Sequence, residues 1–259
     1  MLCVRLQRGG VVFYGRGAGE KGAAREEYAY AGGEEKAERL ERAARESALV
    51  RGKDIGAVYA LATGAWACIP LECFRKEEAP RWLRLIYSVG ASGRTYYNIL
   101  PHVETALVFV VEGAVEQTLK TQFPDVRFYH SMTMVMEKLS QMPRQGRRAL
   151  YVCFDEERAG VFAFDAGGRL EYANEFPADV GENAAYYILS VWKDLGLDVR
   201  KDEVVLLGEG ALREAAGGLL RKYVRVVRDV QAGDIYRKPL SAEGGAVPAD
   251  VQALLANVS

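Results

Sequence analysis

The chain has 259 residues, of which 49% are hydrophobic and 27% are charged, and its formal net charge is -1. Since a typical domain has roughly 100 to 200 residues, this length accommodates one large or two modest domains. The near-neutral charge provides no general field for nucleic acid or an anionic membrane, and no apolar run approaches the length of a membrane span. We therefore expect an ordinary soluble globular protein without nucleic-acid partners or a membrane span, and, with no signal peptide visible, a cytoplasmic location.

The first part of the chain alternates strand-forming and helix-forming segments. Three strands are predicted near residues 2–4, 10–14 and 27–29, with a Gly-rich hairpin tip at residues 15–22. A helix is predicted at residues 34–49 and a further strand at residues 57–61. This order is typical of a compact α/β unit.

The middle of the chain continues the α/β pattern. Strands are predicted at residues 66–70, 105–111 and 126–129, and helices at residues 80–87, 115–122 and 132–141. Gly90 and Gly93 interrupt any periodicity, which indicates a loop around residues 88–94. The polar segment 143–148 contains a proline and a glycine, and it is the predicted domain junction.

Residues 149–227 are the most clearly organised stretch. The apolar run 149–154 predicts a strand buried on both faces, and strands at residues 160–164 and 169–174 follow. Asp179 and Glu182 have capping-box spacing before a helix that ends at Gly196. A strand at 203–207, a helix at 211–220 and a strand at 224–227 complete the series.

The two ends of this chain show short matches in the same order. Residues 2–4 correspond to 152–154 and residues 10–14 to 160–164, both at an offset of 150, whereas Glu27-Tyr28-Ala29 matches Glu171-Tyr172-Ala173 at an offset of 144. Because repeated units share a supersecondary plan, we predict an internal duplication. The remaining residues 240–259 are predicted to be a flexible tail with a short helix near 249–256.

Candidate chemical groups are few. The two histidines, His102 and His130, and the spacing of Cys68 and Cys73 do not match a structural zinc site, so no metal site is predicted. The four cysteines are interpreted as reduced core thiols. The pairs Tyr96-Tyr97 and Tyr186-Tyr187 fit either a recognition surface or partly buried core.

Several short motifs resemble a known family. The sequence is similar to an uncharacterised bacterial domain-of-unknown-function family assigned to the actin-like ATPase superfamily, which is built from duplicated ribonuclease H-like folds. The resemblance extends to about Tyr236, and its motifs are residues 66–70, Gln122-Phe123-Pro124 with His130, Asn174-Glu175-Phe176, Tyr186-Tyr187 and Leu206-Leu207-Gly208.

This resemblance implies an α/β fold of two ribonuclease H-like lobes with mixed sheets flanked by helices. The expected domains are an N-terminal lobe with an inserted α/β subdomain (1–148), a C-terminal lobe (149–239) and the flexible tail (240–259). It also implies a site to test, since working members bind ATP between the lobes with an aspartate and a glycine in each opening hairpin.

The phosphate-binding hairpins depart from that pattern. The first hairpin has Arg5-Leu6-Gln7, with neither a carboxylate nor a glycine, and the second has Asp155-Glu156-Glu157, where an acid replaces the glycine. The turn Gly208-Glu209-Gly210 resembles the adenosine-side glycine turn. Asp155, Gly208 and Gly210 are therefore the only candidate cofactor-binding residues, and no catalytic residue is assigned.

Two classes of function follow. We expect a non-catalytic scaffold or protein-binding module with a protein partner and no cofactor, because the architecture is kept while the phosphate hairpins are degenerate. The alternative is a nucleotide-dependent enzyme, an ATPase or small-molecule kinase with ATP and magnesium, whose other residues replace the usual hairpin groups.

Overall fold

A computed structural model of the chain describes residues 1–17, 22–30, 35–52, 55–87, 93–142, 146–155, 157–236, 240–242 and 245–257. The chain divides into two compact units. The first unit contains residues 1–99, 106–134 and 240–259, and the second contains residues 100–105 and 135–239. The division near residue 134 precedes the predicted junction at 143–148, of which residues 143–145 lie outside the described part.

The elements follow the chain in the order strand, strand, strand, helix that the sequence predicts. The strands are β1 (Leu2–Leu6), β2 (Gly10–Gly15), β3 (Gly22–Ala29), β4 (Val58–Ala62), β5 (Trp66–Pro70), β6 (Gly93–Leu100), β7 (Thr105–Glu112), β8 (Arg127–His130), β9 (Ala149–Asp155), β10 (Arg158–Phe164), β11 (Leu170–Pro177), β12 (Glu203–Leu207), β13 (Val226–Asp229), β14 (Ser241–Ala242) and β15 (Gly245–Ala246). The helices are α1 (Lys36–Glu46), α2 (Ala48–Arg51), α3 (Ala79–Ile86), α4 (Gly113–Gln122), α5 (Ser131–Ser140), α6 (Gly181–Asp194), α7 (Ala211–Leu220), α8 (Ala232–Ile235) and α9 (Ala249–Asn257).

The main sheet of the first unit has the strand order β15-β14-β3-β2-β1-β4-β8. The β1–β2 and β2–β3 pairs are antiparallel, whereas β1–β4 and β4–β8 are parallel. The central strands are apolar because both faces are covered: every residue of β4 is buried. Because β1 and β4 are parallel, their carboxyl ends meet at one edge of the sheet.

The second unit repeats this arrangement. Its sheet has the order β11-β10-β9-β12-β13, with antiparallel β9–β10 and β10–β11 pairs and parallel β9–β12 and β12–β13 pairs. A buried cluster that includes Ile188, Trp192 and Leu206 packs α6 and α7 against it. The two units thus share strand order and strand direction, as expected for the internal duplication that the sequence predicted.

The residue-by-residue correspondence in that prediction is wrong in register. Cys3 pairs with Tyr14 in the first unit, so a constant offset of 150 would pair Cys153 with Phe164, but Cys153 pairs with Gly160. The reason is the hairpin length: Leu6 pairs with Val11, whereas Asp155 pairs with Arg158. The second hairpin is therefore the tighter one. The predicted extra residues of the first copy, within 15–22, include residues 18–21, which lie outside the described part.

An inserted subdomain lies between β4 and β8 in sequence. It contains a three-stranded sheet of order β5-β7-β6, over which α3 packs through Leu83 and Ala79. The sequence predicted a loop that reached residue 94 and no strand between residues 70 and 105, but Gly93 already begins β6. The alternation of that strand was missed because its exposed positions carry the apolar Tyr97 and Ile99 while the buried Asn98 between them is polar, which reverses the usual pattern.

A side-chain amide joins the inserted subdomain to the main sheet. Asn98 of β6 is buried; its Nδ2 donates to the Phe128 carbonyl oxygen at 3.1 Å, and its Oδ1 accepts from the His130 amide at 3.0 Å. The Thr133 hydroxyl also donates to Oδ1, at 2.8 Å. The amide thus bonds a carbonyl and an N–H two residues apart, as the N–H and C=O of one residue in a neighbouring parallel strand would, and it occupies the outer edge of β8.

The segment from residue 240 differs from the predicted flexible tail. Ser241 pairs with Gly22 of β3, and Val251, Leu254 and Leu255 of α9 are fully buried against the first sheet. The Arg16 guanidinium donates to the Leu255 carbonyl oxygen at 2.6 Å, near the end of this helix. Residues 243–244 and 258–259 of the predicted tail lie outside the described part. The short helix predicted at 249–256 is present as α9.

The start of α6 also differs in detail from its prediction. Its N-cap residue is Val180, and no side chain caps the first turn. The Asp179 carboxylate instead accepts from the Asn183 side-chain amide at 2.7 Å. Capping-box spacing was therefore present in the sequence without forming the reciprocal bonds of that motif.

Candidate functional site

The second hairpin places Asp155 at the carboxyl end of β9. Asp155 is partly buried and stands opposite Arg158, the first residue of β10. The Arg158 guanidinium pairs with Glu175 of β11. Glu156, the second of the three predicted adjacent acids, lies outside the described residues, and Glu157 is exposed. A carboxylate is thus present at this strand end.

Gly208 lies beside that strand end because β12 runs parallel to β9. Leu207 is paired with Cys153, so Gly208 follows at the level of Phe154. Its φ is +97°, and a Cβ atom there would lie 2.4 Å from the Phe154 carbonyl oxygen. Only glycine fits both this backbone conformation and this approach. The structure therefore brings Asp155 and the Gly208 turn together at one edge of the sheet.

The Gly208 turn leads directly into α7. Gly210, with φ +101°, is the N-cap residue of α7, and no side chain caps the helix. A Cβ atom on Gly210 would meet no other atom within 4 Å, so this end of the helix is open. Such an end favours anions through its amides and dipole. The exposed Glu209 beside it disfavours them by charge repulsion.

The first hairpin has a different chemistry. The backbone N–H of Gln7 donates to the Gly10 carbonyl oxygen at 2.9 Å, which closes the turn. Arg5 is only 3% exposed, and its Nε donates to the Asp250 Oδ2 of α9 at 2.8 Å. The side chains of this pair are 4% and 6% exposed. A buried cation, already neutralised by a carboxylate, thus precedes the turn where a phosphate-binding hairpin would need a metal-positioning acid.

The four cysteines differ in burial, and the exposed Cys73 is not the core thiol that the sequence predicted. Burial, and next the Asp250 carboxylate, raise the pKa of the Cys3 thiol far above its ordinary value, against the lowering effect of Arg5. Burial also raises the pKa of Cys68. Cys153 is buried and Cys73 is exposed. Within the described ranges, no group of three or more His, Cys, Asp or Glu side chains is placed to hold a metal ion.

His130 is part of the packing of the first unit. Its ring lies 5.5 Å from Trp66 and 5.6 Å from Phe109, centroid to centroid, and it is 1% exposed. Its Nδ1 accepts from the Met132 amide at 3.2 Å, so Nε2 carries the hydrogen that faces the Gly64 carbonyl oxygen, also at 3.2 Å. The geometry assigns this histidine a structural role. His102 is exposed.

The tyrosine pairs are split between core and surface. The Tyr96 hydroxyl donates to Glu116 at 2.6 Å, while Tyr97 is 42% exposed. Tyr187 stacks on Phe176 at 4.7 Å, and Tyr186 is 68% exposed. Each pair therefore contributes one ring to the interior contacts and one to the surface.

Asp250 was missed by sequence reasoning. It lies 245 positions from Arg5 in a segment that was predicted to be flexible, so no local pattern linked the two residues. The amphipathic spacing of Val251, Leu254 and Leu255 was the one available signal that α9 covers an apolar surface.

The comparisons with known proteins agree with this geometry. The model of the family "Protein of unknown function (DUF3822)" matches residues 1–227. The chain belongs to this family. The match ends within β13, so Arg5, Asp155 and the Gly208 turn fall inside the matched range and Asp250 falls outside it. The predicted resemblance is confirmed.

Solved structures identify the fold of this DUF3822 protein. It is similar to a Bacteroides thetaiotaomicron protein with an actin-like ATPase fold and unknown function, with a TM-score of 0.82 and 24% identity over 98% of this chain and 95% of that one. A PilM–PilN type IV pilus biogenesis complex matches with a TM-score of 0.56 and 11% identity over 98% and 96%. No curated protein sequence matches the chain. The fold is therefore that of actin-like ATPases, and its function is not given by these relatives.

Among the helices of the described residues, none is both long and apolar enough to cross a membrane.

Proposed function

We propose that this DUF3822 protein is a non-catalytic scaffold that keeps an actin-like ATPase fold and binds a protein partner. The buried ion pair between Arg5 and Asp250 carries the proposal. Phosphoryl transfer depends on a metal-positioning carboxylate and on backbone amides that approach the phosphates. At the first hairpin the strand carries the Arg5 guanidinium in place of an acid, and Asp250 already neutralises its charge.

The likeness to a PilM–PilN complex supports the second half of the proposal, since that structure contains two different proteins and shares this fold. A scaffold needs a rigid framework with an accessible face, and it does not need a phosphate site. A cytoplasmic location is part of the same proposal.

Isothermal titration with ATP and magnesium tests the proposal on the full chain. We expect no heat of specific binding and no nucleotide-induced rise in melting temperature. The matched variant is Asp155→Ala, which removes the carboxylate at the end of β9 and leaves the Gly208 turn intact. If the wild type binds ATP tightly in a magnesium-dependent manner and Asp155→Ala abolishes this binding, the scaffold proposal is wrong.

The second candidate function is a nucleotide-dependent enzyme, an ATPase or small-molecule kinase. It is favoured by one observation: Gly208 and Gly210 leave the N-terminus of α7 open next to the carboxyl ends of two parallel strands. This function requires turnover of ATP by purified protein, reduced by Gly210→Val, which would place a branched side chain in the open space. If turnover and thermal stabilisation by nucleotide are both absent, this candidate is rejected.

A further inference from the structure

The inserted subdomain exposes large apolar side chains on adjacent elements. Leu85 and Ile86 of α3 are 71% and 61% exposed, and Tyr97 and Ile99 of β6 are 42% and 43% exposed. Single exposed apolar residues are ordinary, but a group of four within one small subdomain is a feature of interaction surfaces.

These side chains adjoin a partly buried aromatic layer. The Tyr97 ring lies 5.1 Å from the Phe74 ring, and Phe74 and Trp82 each pack against the core beneath α3. Ile86 lies one helical turn after Trp82, and Ile99 follows Tyr97 on the same face of β6. We call this set the α3–β6 surface; it consists of Phe74, Trp82, Leu85, Ile86, Tyr97 and Ile99.

Arginines surround the α3–β6 surface. Helix α3 itself carries Arg81 and Arg84 and no acidic residue, and Arg94 lies on β6. Arg81 and Arg94 make only long contacts with carboxylates, at 4.0 Å and 3.8 Å, while their side chains stay 75% and 72% exposed. Arg84 has no ion pair within the described residues. The exposed acids Glu77 and Glu78 lie just before α3, so the rim is mixed, but Lys76, Arg81, Arg84 and Arg94 give it a basic excess. The chain as a whole is slightly acidic, so this excess is a local feature.

We propose that the α3–β6 surface docks a segment of a protein partner in which apolar side chains are flanked by aspartate or glutamate. The inference rests on the proposed scaffold function and adds to it the face used and the chemistry of the partner. Apolar side chains of the segment cover Ile86, Tyr97 and Trp82, and its carboxylates pair with Arg84 and its neighbours. Arginine and aromatic residues are the groups that dominate such interfaces, and the charge pairing supplies selectivity for acidic segments.

A displayed library of random peptides of about 12 residues, long enough for an extended or helical docking segment, provides the probe. The full chain is the bait, and the Leu85→Ser/Ile86→Ser variant, whose changes fall on exposed positions, is the counter-bait. We expect enriched peptides in which Asp or Glu flank Leu, Ile or Phe. Their affinity falls at least about tenfold in the double variant, as for loss of a hot spot, and it falls in Arg84→Glu and at high salt.

Matched controls show whether the site is this surface. Tyr186→Ser and Tyr223→Ser remove comparably exposed rings, 68% and 63%, from the second unit and are expected to leave affinity unchanged. Trp66 and Trp192 are buried, so a shift of intrinsic fluorescence on adding a tryptophan-free peptide reports on Trp82 and is lost in Trp82→Phe.

Each other outcome overturns the inference. It is wrong if no peptide distinguishes wild type from the double variant, or if the enriched peptides are basic or uncharged. It is also wrong if the double variant dissociates a dimer of the wild type, since the occupant is then a second copy, or if it abolishes binding to anionic vesicles, since the occupant is then lipid. The ATP titration tests the scaffold function and the peptide selection tests the α3–β6 surface. The failure of one proposal can therefore be distinguished from the failure of the other.

Discussion

The buried ion pair of the first unit makes a sharp prediction for Asp250→Ala. The variant leaves the guanidinium of Arg5 in a site that is 3% exposed without the carboxylate that it bonds at 2.8 Å. Removing one partner of a buried pair costs about 3 to 5 kcal/mol of unfolding free energy. For a chain of this size that corresponds to a fall in melting temperature of roughly 10 °C, at about 2 to 4 °C per kcal/mol.

The matched control is Glu41→Ala, which breaks the pair of Glu41 with Arg45 on α1. Those side chains are 48% and 66% exposed and their charged atoms are 3.8 Å apart. Solvent-exposed pairs of this spacing contribute about 0.3 to 0.5 kcal/mol. The melting temperature of this variant is therefore expected to be close to that of the wild type. The difference between the two variants isolates burial as the cause.

The pair of variants Arg5→Met and Asp250→Leu completes the test. Replacing both charges by apolar groups removes the desolvation cost together with the attraction, so the double variant is expected to be markedly more stable than either single variant. Urea unfolding followed by circular dichroism measures each free energy. Proteolysis under native conditions, with the product masses determined, shows whether α9 is released. The reasoning fails if Asp250→Ala lies within about 1 kcal/mol of the wild type, or if the two single losses add in the double variant.

Three further predictions concern single positions. Gly208→Ala is expected to lower the unfolding free energy more than Gly210→Ala, because both force a positive φ at about 1 to 3 kcal/mol but only the Gly208 Cβ meets a carbonyl oxygen, at 2.4 Å; equal losses in urea unfolding would contradict this. Asn98→Asp keeps the acceptor for the His130 amide but turns an oxygen toward a carbonyl, so thermal unfolding is expected to show a loss of about 2 kcal/mol. Burial raises the pKa of Glu137, so the folded protein holds that proton more tightly and stability falls as the pH rises through the raised pKa. Glu137→Gln is therefore expected to raise the unfolding free energy near neutral pH and to lose this gain on acidification, and a gain independent of pH would refute the assignment.

The succession of strands and helices along the chain could be predicted from sequence because it depends on local patterns. The apolar run that became β9 reads as a strand buried on both faces, and the hairpins and helices that follow it limit the possible pairings. The same logic identified the second unit, whereas the family was indicated by the resemblance of short motifs. It failed at β6, whose outward Tyr97 and Ile99 remove the polar alternation that marks a half-exposed strand.

Register could not be predicted in the same way. Pairing Cys153 with Gly160 instead of Phe164 is a shift of four residues. Because side chains alternate with a period of two, an even shift leaves every residue on the same face of the sheet. An apolar pattern therefore fits both registers equally well. The hairpin decides between them, and it is closed by backbone bonds between Asp155 and Arg158 that no composition of the strands encodes.

The candidate site shows most clearly which features cannot be predicted from sequence. Asp155 and the Gly208 turn were candidates in the sequence because of the resemblance to actin-like ATPases. The structure places them side by side because parallel neighbouring strands bring their carboxyl ends to one edge. The same reasoning noted that Arg5 replaces an acid in the first unit, but it could not say whether that guanidinium stays available to a ligand. The answer depends on Asp250, at the other end of the chain, which reaches Arg5 only because Val251 and Leu254 bury α9 on the first sheet. The chemistry of the first hairpin is thus decided by a helix that contributes no residue to the hairpin itself, and a variant that loosens α9 is expected to change the charge presented there without altering β1 or β2.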